Sequence, residues 1–374
     1  MLYRKYGATG KYVSALGFGV AKLPMTGDGA AARVDDELAI PILRAAYDNG
    51  INYYDAAWNY LNNDSQRILG LALRDVRDKV YFATKLPCWL VKEHEDFWKY
   101  LMMTLENMDT SYIDFYHFHG IDAETFARLK ELKIIESAER ALANKYIHHL
   151  SFSFHDTPDV MRDLADTGLF ETLLCQYSLI DRSNEESMAY AASKGMGVAV
   201  MGPTGGGIIA RGGLDFVRRM GSDASSAAEM ALRFVWGNPS VSTALSGMDS
   251  VDQVKENVGY AEKSGGIEKS EIDKLDKGAA ELKLMNDIYC SNCNYCRDCP
   301  QGIKIGAVFR MYINHKVWGL SGEAKKAYAG LGEGSWNGKN PDLCTGCGAC
   351  VKRCPQKIDI PAELKRVSAV LKAL

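Results

Sequence analysis

The sequence predicts an α/β protein, a (β/α)8 TIM barrel followed by a small cysteine-rich domain. Over the first 285 residues, eight short β-rich runs alternate with stretches of helical pattern. This alternation is typical of a barrel in which each parallel strand is followed by a helix. An open, doubly wound sheet usually carries a glycine fingerprint after its first strand, and "GFGVAK" at 17–22 is not that fingerprint. Eight of the ten cysteines fall in the last 85 residues, which sets this segment apart.

The predicted elements follow one another in a regular order. The strands are 15–20, 51–55, 80–85, 113–119, 147–153, 172–178, 197–202 and 241–247. Helical patterns separate them, for example at 36–48, 95–108, 184–194 and 225–236, and further helices are predicted at 250–262, 270–284, 305–317 and 321–330. We therefore expect a barrel domain at 1–285 and a cysteine-rich domain at 286–374, with an insert at roughly 305–340 between the two cysteine runs.

Composition and charge indicate a globular cytoplasmic protein. Hydrophobic residues make up 47% and charged residues 24% of the chain. The amino terminus has no apolar signal segment, and no apolar run approaches membrane-spanning length. Residues 286–374 carry 13 Lys and Arg against 7 Asp and Glu, so their net charge is +6, whereas the net charge of the whole chain is −3. These cations are scattered, so we do not expect nucleic acid as a partner, and without a long apolar run we do not expect a membrane. In a reducing compartment we expect the clustered cysteines to bind metal.

Polar residues mark the ends of three predicted strands. Strand 2 runs into "YYDAAWNY", which contains Asp55 and Tyr60, strand 3 ends in "FATK" with Lys85, and strand 4 ends in "YHFHG" with His119. Chemistry in a (β/α)8 barrel is located at these carboxyl ends. His117 shares the face of His119 because side chains alternate along a strand, and we expect it to be buried and hydrogen-bonded.

These residues resemble the catalytic set of the aldo-keto reductases. The matching motifs are D-x4-Y, the strand-3 "ATK", and "IDFYHFH" for the family's "iDlyllH", and the resemblance runs from about Tyr3 to about Tyr260. It implies that Tyr60 is the proton donor to a carbonyl, that Lys85 lowers the pKa of Tyr60, that Asp55 holds Lys85, and that His119 orients the substrate.

The same resemblance implies a nicotinamide cofactor. "GPTGGG" at 202–207 lets the backbone approach a pyrophosphate, and the chain after strand 8 would lie along the adenosine end. The candidate cofactor residues are Ser153, Gln176, Met201, Gly202, Gly205, Gly206, Gly207, Ser246, Gly247, Gln253 and Asn257. The chain departs from the family at three points: Phe154 follows Ser153 where Asn is common, Met201 replaces an aromatic residue, and "SGMDSVDQ" has no basic residue for a 2′-phosphate. NADP, NAD and a flavin all stay open.

The cysteines form two runs with cluster-like spacing. "CTGCGACVKRCP" at 344–355 is C-x2-C-x2-C-x3-C-P, the bacterial ferredoxin pattern for a four-iron cluster, and "CSNCNYCRDCP" at 290–300 is one residue shorter. The tail resembles a dicluster ferredoxin domain, and the whole chain resembles the iron–sulfur subgroup of aldo-keto reductases. In two-cluster ferredoxins the last cysteine of each run ligates the other cluster. The resemblance thus implies two [4Fe–4S] clusters, one held by Cys344, Cys347, Cys350 and Cys299, the other by Cys290, Cys293, Cys296 and Cys354.

Other readings of the cysteines stay open. The short first run leaves the assignment of Cys299 and Cys354 undecided, and a single cluster or zinc are the alternatives. Zinc ribbons usually pair two separated C-x2-C hooks, whereas each run here brings at least three closely spaced cysteines. Cys88 and Cys175 are expected to be ordinary buried thiols, although Cys88 follows Lys85 closely enough to line the pocket.

Three functions are compatible with these features. The first is an oxidoreductase that uses NAD(P)(H) to reduce an aldehyde, ketone or sugar-like carbonyl, or to oxidise the corresponding alcohol. The second is a ferredoxin-linked reductase whose barrel holds a flavin fed by the clusters, since hydride transfer moves two electrons and clusters move one at a time. The third is an electron-transfer module with an inactive barrel. The presence of all four candidate catalytic residues argues against it, namely Asp55, Tyr60, Lys85 and His119.

Overall fold

All eight predicted strands are present in the computed structural model of the chain, where they close into a barrel of parallel strands. We number them in chain order as β1 Leu16–Gly19, β2 Tyr53–Asp55, β3 Tyr81–Leu86, β4 Ile113–Ile121, β5 Ile147–Phe154, β6 Thr172–Gln176, β7 Gly197–Met201 and β8 Thr243–Ser246. Each strand pairs with the next along the chain, and β8 pairs with β1. The predicted barrel is confirmed.

The structure describes residues 1–27, 31–207, 209–263, 269–285, 288, 290, 295–335, 337–354 and 356–374. The first ten helices are α1 Asp36–Asp48, α2 Ser65–Leu73, α3 Asp96–Asn107, α4 Ala123–Glu131, α5 Ile134–Ala143, α6 Pro158–Asp166, α7 Glu185–Ser193, α8 Leu214–Arg219, α9 Ala227–Gly237 and α10 Val251–Lys263. The remaining helices are α11 Lys269–Met285, α12 Ile305–Lys316, α13 Ser321–Ala329, α14 Ala349–Lys352 and α15 Ile360–Lys372. Every predicted helix is present, with ends shifted by at most two residues.

Capping residues explain where several helices begin. The Asp35 side chain accepts a hydrogen bond from the Leu38 amide (3.2 Å) at the start of α1. Asp122 does the same for the Thr125 amide (2.7 Å) at the start of α4. An Asp at this position satisfies an amide that the first turn of a helix leaves unpaired, so the sequence itself fixes these boundaries.

An amino-terminal hairpin packs into one end of the barrel. Its strands are Tyr3–Lys5 and Tyr12–Ser14, and between them the ring of Tyr6 is fully buried against inward-facing side chains of the barrel. The Tyr6 ring lies edge-on to Phe115 (4.8 Å between centroids), and a Cβ added at Gly197, the first residue of β7, would lie 2.4 Å from this ring. Since this end is plugged, the open end for chemistry is the carboxyl end of the strands.

The chain folds into two compact units. One comprises Met1–Pro203 and Ala231–Glu268 and contains the barrel, and the other comprises Thr204–Met230 and Lys269–Leu374. The domain boundary expected at 285/286 stays a prediction. No helix within the described residues is long and apolar enough to cross a membrane.

The second unit has its own core, built mainly from α12, α13 and α15. Its buried members are Ile288, Ile303, Ile305, Val308, Phe309, Met311, Tyr312, Ala324, Tyr328, Ile360, Leu364, Val367 and Leu371. The hydroxyls of Tyr328 and Ser368 share a hydrogen bond (2.6 Å), and Ser368 donates in turn to Asp342 (2.6 Å). This chain of bonds ties α13 and α15 to the segment that precedes the second cysteine run.

Candidate functional site

The parallel pairing of β2, β3 and β4 places the predicted catalytic side chains at the same end of the barrel. Asp55 is the last residue of β2, and Lys85 lies in β3 directly beside His117 of β4 in the strand register. His119 follows two residues later on the same strand face. Tyr60 begins the short 3-10 helix Tyr60–Asn63 that follows β2.

Asp55 and Lys85 form a fully buried ion pair. The Lys85 ammonium donates to Oδ1 of Asp55 and to the carbonyl oxygen of Ala56 (2.9 Å). Burial by itself raises the pKa of Asp55, but Lys85 and His117 outweigh that effect and hold the pKa below its usual range. Burial lowers the pKa of Lys85 against the pull of Asp55. Because each charge has its partner within contact distance, we treat the pair as ionised.

Tyr60 completes the group. The Lys85 ammonium lies 4.7 Å from the centroid of the Tyr60 ring, and the rings of Tyr60 and His119 are 6.2 Å apart and nearly perpendicular. Tyr60 is half-buried, so its side chain reaches solvent while Lys85 does not. The structure thus brings together the four side chains that the sequence placed at the strand ends.

The backbone after Tyr60 is unusual. Leu61, Asn62 and Asn63 all have positive φ (52°, 54° and 69°), a left-handed conformation that Asn tolerates and Leu does not favour. The Asn62 side-chain amide donates to the carbonyl oxygen of Ala32 (3.0 Å), which anchors the turn to the hairpin formed by Met25–Thr26 and Arg33–Val34. Strained backbone of this kind often occurs beside functional residues.

His119 is buried and neutral. Burial, together with the nearby Lys85, His155 and His117, lowers the pKa of His119 well below its usual value of 6.5. A neutral imidazole can donate one hydrogen bond without adding a charge to the site. His119 can therefore orient a polar group of a substrate at neutral pH.

Trp89 is a functional candidate that the sequence reasoning missed. Its ring is 49% exposed and lies 5.0 Å from the His119 ring. Arg128 holds the surrounding loop by donating to the carbonyl oxygens of Val91 (2.5 Å) and Cys88 (2.8 Å). Its position in the sequence could have identified it, since Trp89 lies four residues after Lys85, in the loop that follows this strand.

Cys88 is an inert thiol, in line with the interpretation from sequence. It is fully buried, its Sγ contacts the carbonyl oxygen of Leu86 (3.4 Å), and burial raises its pKa to about 12. A thiol with so high a pKa is a poor nucleophile near neutral pH.

The predicted cofactor residues form local pairs at the same end of the barrel strands. The Ser153 hydroxyl accepts from the Gly120 amide (2.8 Å), and Asn257 donates to the Ser246 hydroxyl (3.2 Å). Gln253 bonds instead to Asp249 (2.6 Å from Nε2 to Oδ1). Met201 ends β7 and is partly exposed.

Two glycines in this group leave room that a larger residue would take. Gly202 has φ +65°, and a Cβ there would lie 2.5 Å from Nε2 of Gln176. A Cβ on Gly247 would lie 3.2 Å from Cγ of Lys22, so a cation that the sequence reasoning missed stands beside the predicted adenosine end. Gly205, Gly206 and Gly207 all have positive φ and belong to the other compact unit.

The described cysteines of the tail lie against one apolar core. Those packed there are Cys290, Cys296, Cys299, Cys344, Cys350 and Cys354. Cys293 lies outside the described residues. Burial raises the pKa of Cys350, and the neighbouring Cys344, Cys299 and Cys347 raise it further. These four thiols are the set expected to share one cluster if the last cysteine of each run ligates the cluster of the other run. Thiolates are the ligands that iron–sulfur clusters use.

An arginine lies near Cys290 of the first cysteine run. Arg310 on α12 is about half buried, and its pKa is lowered by burial and by Arg211 but raised by Cys290. Such a neighbour offsets the negative charge of cluster thiolates. Among the described residues, no three His, Cys, Asp or Glu side chains are arranged to hold a single metal ion. A four-iron cluster has a different geometry, in which each thiolate binds its own iron.

The barrel holds a buried Asp–Lys pair beside a Tyr and a His, and the tail carries two runs of closely spaced cysteines. The fold and the site together define a barrel oxidoreductase with an iron–sulfur domain. The chain belongs to the aldo/keto reductase family, whose sequence pattern matches residues 15–279. Residues 289–358 match the 4Fe-4S dicluster domain.

Known proteins agree with this assignment. The L-galactose dehydrogenase of Arabidopsis thaliana is 28% identical over 68% of this chain and 86% of its own length. An uncharacterised oxidoreductase of Bacillus subtilis, YqkF, is 23% identical over 69% of this chain and 90% of its own. The holo structure of the aldo-keto reductase AKR11C1 from Bacillus halodurans superposes with a TM-score of 0.64 at 25% identity, covering 74% of this chain and 96% of that one.

Proposed function

We propose that the barrel reduces an aldehyde, a ketone or a sugar-like carbonyl with NADPH or NADH, or catalyses the reverse oxidation of the alcohol. The observation that carries this proposal is the buried Asp55–Lys85 pair beside Tyr60 and His119. Carbonyl reduction needs a proton donor and a polarising group at the substrate oxygen, and these residues supply both.

A reduced nicotinamide bound here would supply the hydride that forms the new C–H bond. The Tyr60 hydroxyl gives its proton to the carbonyl oxygen, so an O–H bond forms on the substrate and a phenolate is left on Tyr60. The Lys85 ammonium stabilises that phenolate, and Asp55 holds the ammonium in place. His119, neutral at working pH, donates a hydrogen bond that orients the carbonyl.

Several side chains fit a nicotinamide dinucleotide. Gln176 beside Gly202 and the Ser153 hydroxyl supply polar groups at the strand ends for a carboxamide. Ser246 and Asn257 offer a hydroxyl and an amide toward the adenosine end, where Lys22 adds a positive charge. Lys22 suits an anionic cofactor, and binding of NADPH and NADH to the purified protein, compared by fluorescence titration, decides between them.

We propose a neutral, sugar-like substrate. A relative of the barrel is named as acting on L-galactose. The half-exposed Trp89 ring, fixed next to His119, offers an apolar face on which the C–H face of a sugar ring can pack. Trp89→Ala is expected to raise KM for sugar substrates while leaving the Kd for nicotinamide unchanged. An unchanged KM would remove Trp89 from the substrate site.

The direct test of the reductase function is Tyr60→Phe, which removes the hydroxyl that donates the proton and keeps the ring. We expect carbonyl turnover to fall by about 10²- to 10⁴-fold with nicotinamide affinity retained. Tyr12→Phe is the matched control, because Tyr12 is 52% exposed on the amino-terminal hairpin. Full turnover by the Tyr60 variant would exclude the proposed role.

We further propose that the tail binds two [4Fe–4S] clusters through the eight cysteines and that the protein works in the cytoplasm, where thiols are kept reduced. Anaerobically purified protein should contain about eight iron and eight sulfide per chain. Stoichiometric zinc without sulfide would refute this.

An alternative function is a ferredoxin-linked reductase with a flavin in the barrel. One feature of the second unit favours it, namely an open cavity of about 480 Å³ lined in part by Arg211, Arg218 and Arg219. Phe216 and Trp318 meet edge to face there (4.9 Å), beside the exposed Leu214. Arginine and tryptophan next to exposed apolar groups are typical of protein interfaces, and the positive charge would steer an acidic redox protein.

Electron paramagnetic resonance separates the two functions. Cluster signals that appear when NADPH or NADH is added to anaerobic protein, together with an extractable flavin, favour the ferredoxin-linked reductase. Clusters that respond only to a strong chemical reductant favour hydride transfer without the clusters.

A further inference from the structure

We propose that His117 is a positioning residue of the barrel site, which holds Asp55 ionised and aligned toward Lys85 by donating a hydrogen bond from Nε2 to Oδ2. This role rests on the proposed reductase function. The aldo-keto reductase motif "iDlyllH" has an apolar residue at this place, so the imidazole is a feature of this chain.

The geometry leaves one oxygen of Asp55 for His117. Oδ1 of Asp55 accepts from Lys85, whereas Oδ2 makes no hydrogen bond within the described residues, and neither do the two ring nitrogens of His117. Nε2 of His117 stands 3.5 Å from this Oδ2, and both side chains are buried. That separation is slightly longer than a hydrogen bond of about 2.7–3.2 Å. Catalytic hydrogen bonds are often long in the free enzyme and tighten when the substrate complex forms.

The surroundings of His117 determine its charge. Asp55 on β2 and Lys85 on β3 face it, His119 lies two residues on in its own strand β4, and the backbone of Phe152 approaches from β5. Burial lowers the pKa of His117, Asp55 opposes that effect, and Lys85 adds to it. The backbone of Phe152 also raises the pKa, as an acceptor of a hydrogen bond does. A neutral imidazole carries one N–H, so Asp55 and Phe152 compete for it, and we place it on Nε2, toward Asp55.

Loss of this donor would disturb the catalytic pair. A buried carboxylate oxygen that loses its hydrogen-bond donor is destabilised, which favours protonation of the carboxylate. The nearest proton belongs to Lys85, and moving it to Asp55 leaves a neutral pair. Tyr60 then has no ammonium to stabilise its phenolate and becomes a weaker acid. His117 thus acts on the reaction through Asp55 and Lys85, without touching the substrate.

The test compares His117→Leu with His117→Gln. Leu restores an apolar side chain, whereas the Gln amide keeps an N–H donor at a reach similar to that of Nε2. We expect the Leu variant to lose about 10-fold or more in kcat/KM for carbonyl reduction, with the alkaline limb of its pH profile moved to higher pH. The Gln variant should stay within about threefold of the parent protein, with an unshifted profile. A Leu variant with the parent's rate and pH profile would overturn the proposal.

A second measurement does not depend on turnover. Nitrogen-15 NMR of the imidazoles, with the His117 signal assigned by its absence in His117→Leu, reports the tautomer directly. We expect a neutral ring protonated at Nε2 from about pH 6 to 9, and a change of that signal in Asp55→Asn. A ring protonated at Nδ1 alone, or at both nitrogens, would overturn the proposal. If the tautomer is as expected but the parent protein reduces no carbonyl, the contact stands and the reductase function fails.

Discussion

The ammonium of Lys85 lies against the Tyr60 ring, 4.7 Å from the ring centroid, and it is held there by Asp55 and by the carbonyl oxygen of Ala56. An ammonium this close to an aromatic ring is attracted to it even when the ring is neutral. The attraction grows when the hydroxyl loses its proton, because the phenolate is negative. The positive charge is therefore in place before the proton is transferred, which is the arrangement that lowers a barrier most effectively.

Lys85→Met is the first prediction that follows from this contact. The variant keeps the length of the side chain but removes the charge that stabilises the Tyr60 phenolate. We expect kcat/KM for carbonyl reduction to fall by about 100-fold or more, with nicotinamide Kd changed little. Steady-state kinetics and fluorescence titration of the cofactor measure the two quantities separately.

Stability has to be controlled in this experiment, because Lys85→Met leaves Asp55 buried without its partner. Removing one member of a buried pair costs about 3–5 kcal/mol, so the variant is expected to melt at a lower temperature. The double variant Asp55→Asn/Lys85→Met has no lone buried charge and should recover much of the lost stability, but not the activity. Recovered activity in the double variant would show that the single variant failed for lack of folding alone.

The second prediction concerns acid pH. The pKa of His119 is lowered well below 6.5 by burial, so the unfolded chain binds this proton before the folded chain does. The contribution of His119 is therefore intact above pH 6.5, and stability is lost as the pH falls from 6.5 toward the folded pKa. The rate of carbonyl reduction should show no acid limb near pH 6.5, since His119 stays neutral in the folded protein.

His119→Gln provides the comparison. Melting temperatures of parent and variant, measured from about pH 8 down to about pH 5, should run parallel above pH 6.5, and below it the parent should lose stability relative to the variant as its contribution from His119 disappears. Curves that stay parallel over the whole range would mean that His119 has an ordinary pKa in the folded protein.

The sequence predicted the barrel and the grouping of these side chains at one end of it for the same reason. Strand and helix periodicities depend on local residues, and parallel strands necessarily bring Asp55, Lys85 and His119 to one edge. Trp89 and Lys22 were missed because their importance comes from contacts across loops, with His119 and Gly247 respectively, that no local pattern encodes. Cysteine spacing predicted a cluster domain, which the dicluster match supports, but spacing alone does not decide which cysteines share a cluster.

The third prediction concerns Gly197, where the amino-terminal hairpin meets the barrel. A Cβ at this position would lie 2.4 Å from the Tyr6 ring and 2.9 Å from the Tyr6 backbone carbon, so neither neighbour can move away cheaply. We expect Gly197→Ala to destabilise the protein by about 1–3 kcal/mol through overpacking. Chemical denaturation of parent and variant measures the difference.

Gly259→Ala is a suitable control for that substitution. Gly259 lies within α10, and a Cβ there would meet no atom within 4 Å. Ala is the better helix former by about 1 kcal/mol, so this variant should be as stable as the parent or more stable. If Gly197→Ala behaves like the control, Tyr6 does not plug the barrel as tightly as the structure indicates.

The fourth prediction tests which cysteines share a cluster. Cys299 of the first run raises the pKa of Cys350 of the second run, together with Cys344 and Cys347. If these four hold one cluster, Cys299→Ala and Cys347→Ala damage the same cluster. The double variant should then keep the same intact [4Fe–4S] cluster that each single variant keeps, with about four iron. Quantitative paramagnetic resonance of the reduced protein and iron analysis give the count.

Cys175→Ala is the control, because Cys175 is fully buried in β6 of the barrel and should leave all the iron in place. If each run of cysteines held its own cluster, the double variant would be expected to lose both clusters. If Cys299 served the cluster of its own run, Cys299→Ala and Cys347→Ala would damage different clusters, and their combination would lose both. The comparison of single and double variants therefore separates the two assignments even where a single variant keeps a damaged cluster with three irons.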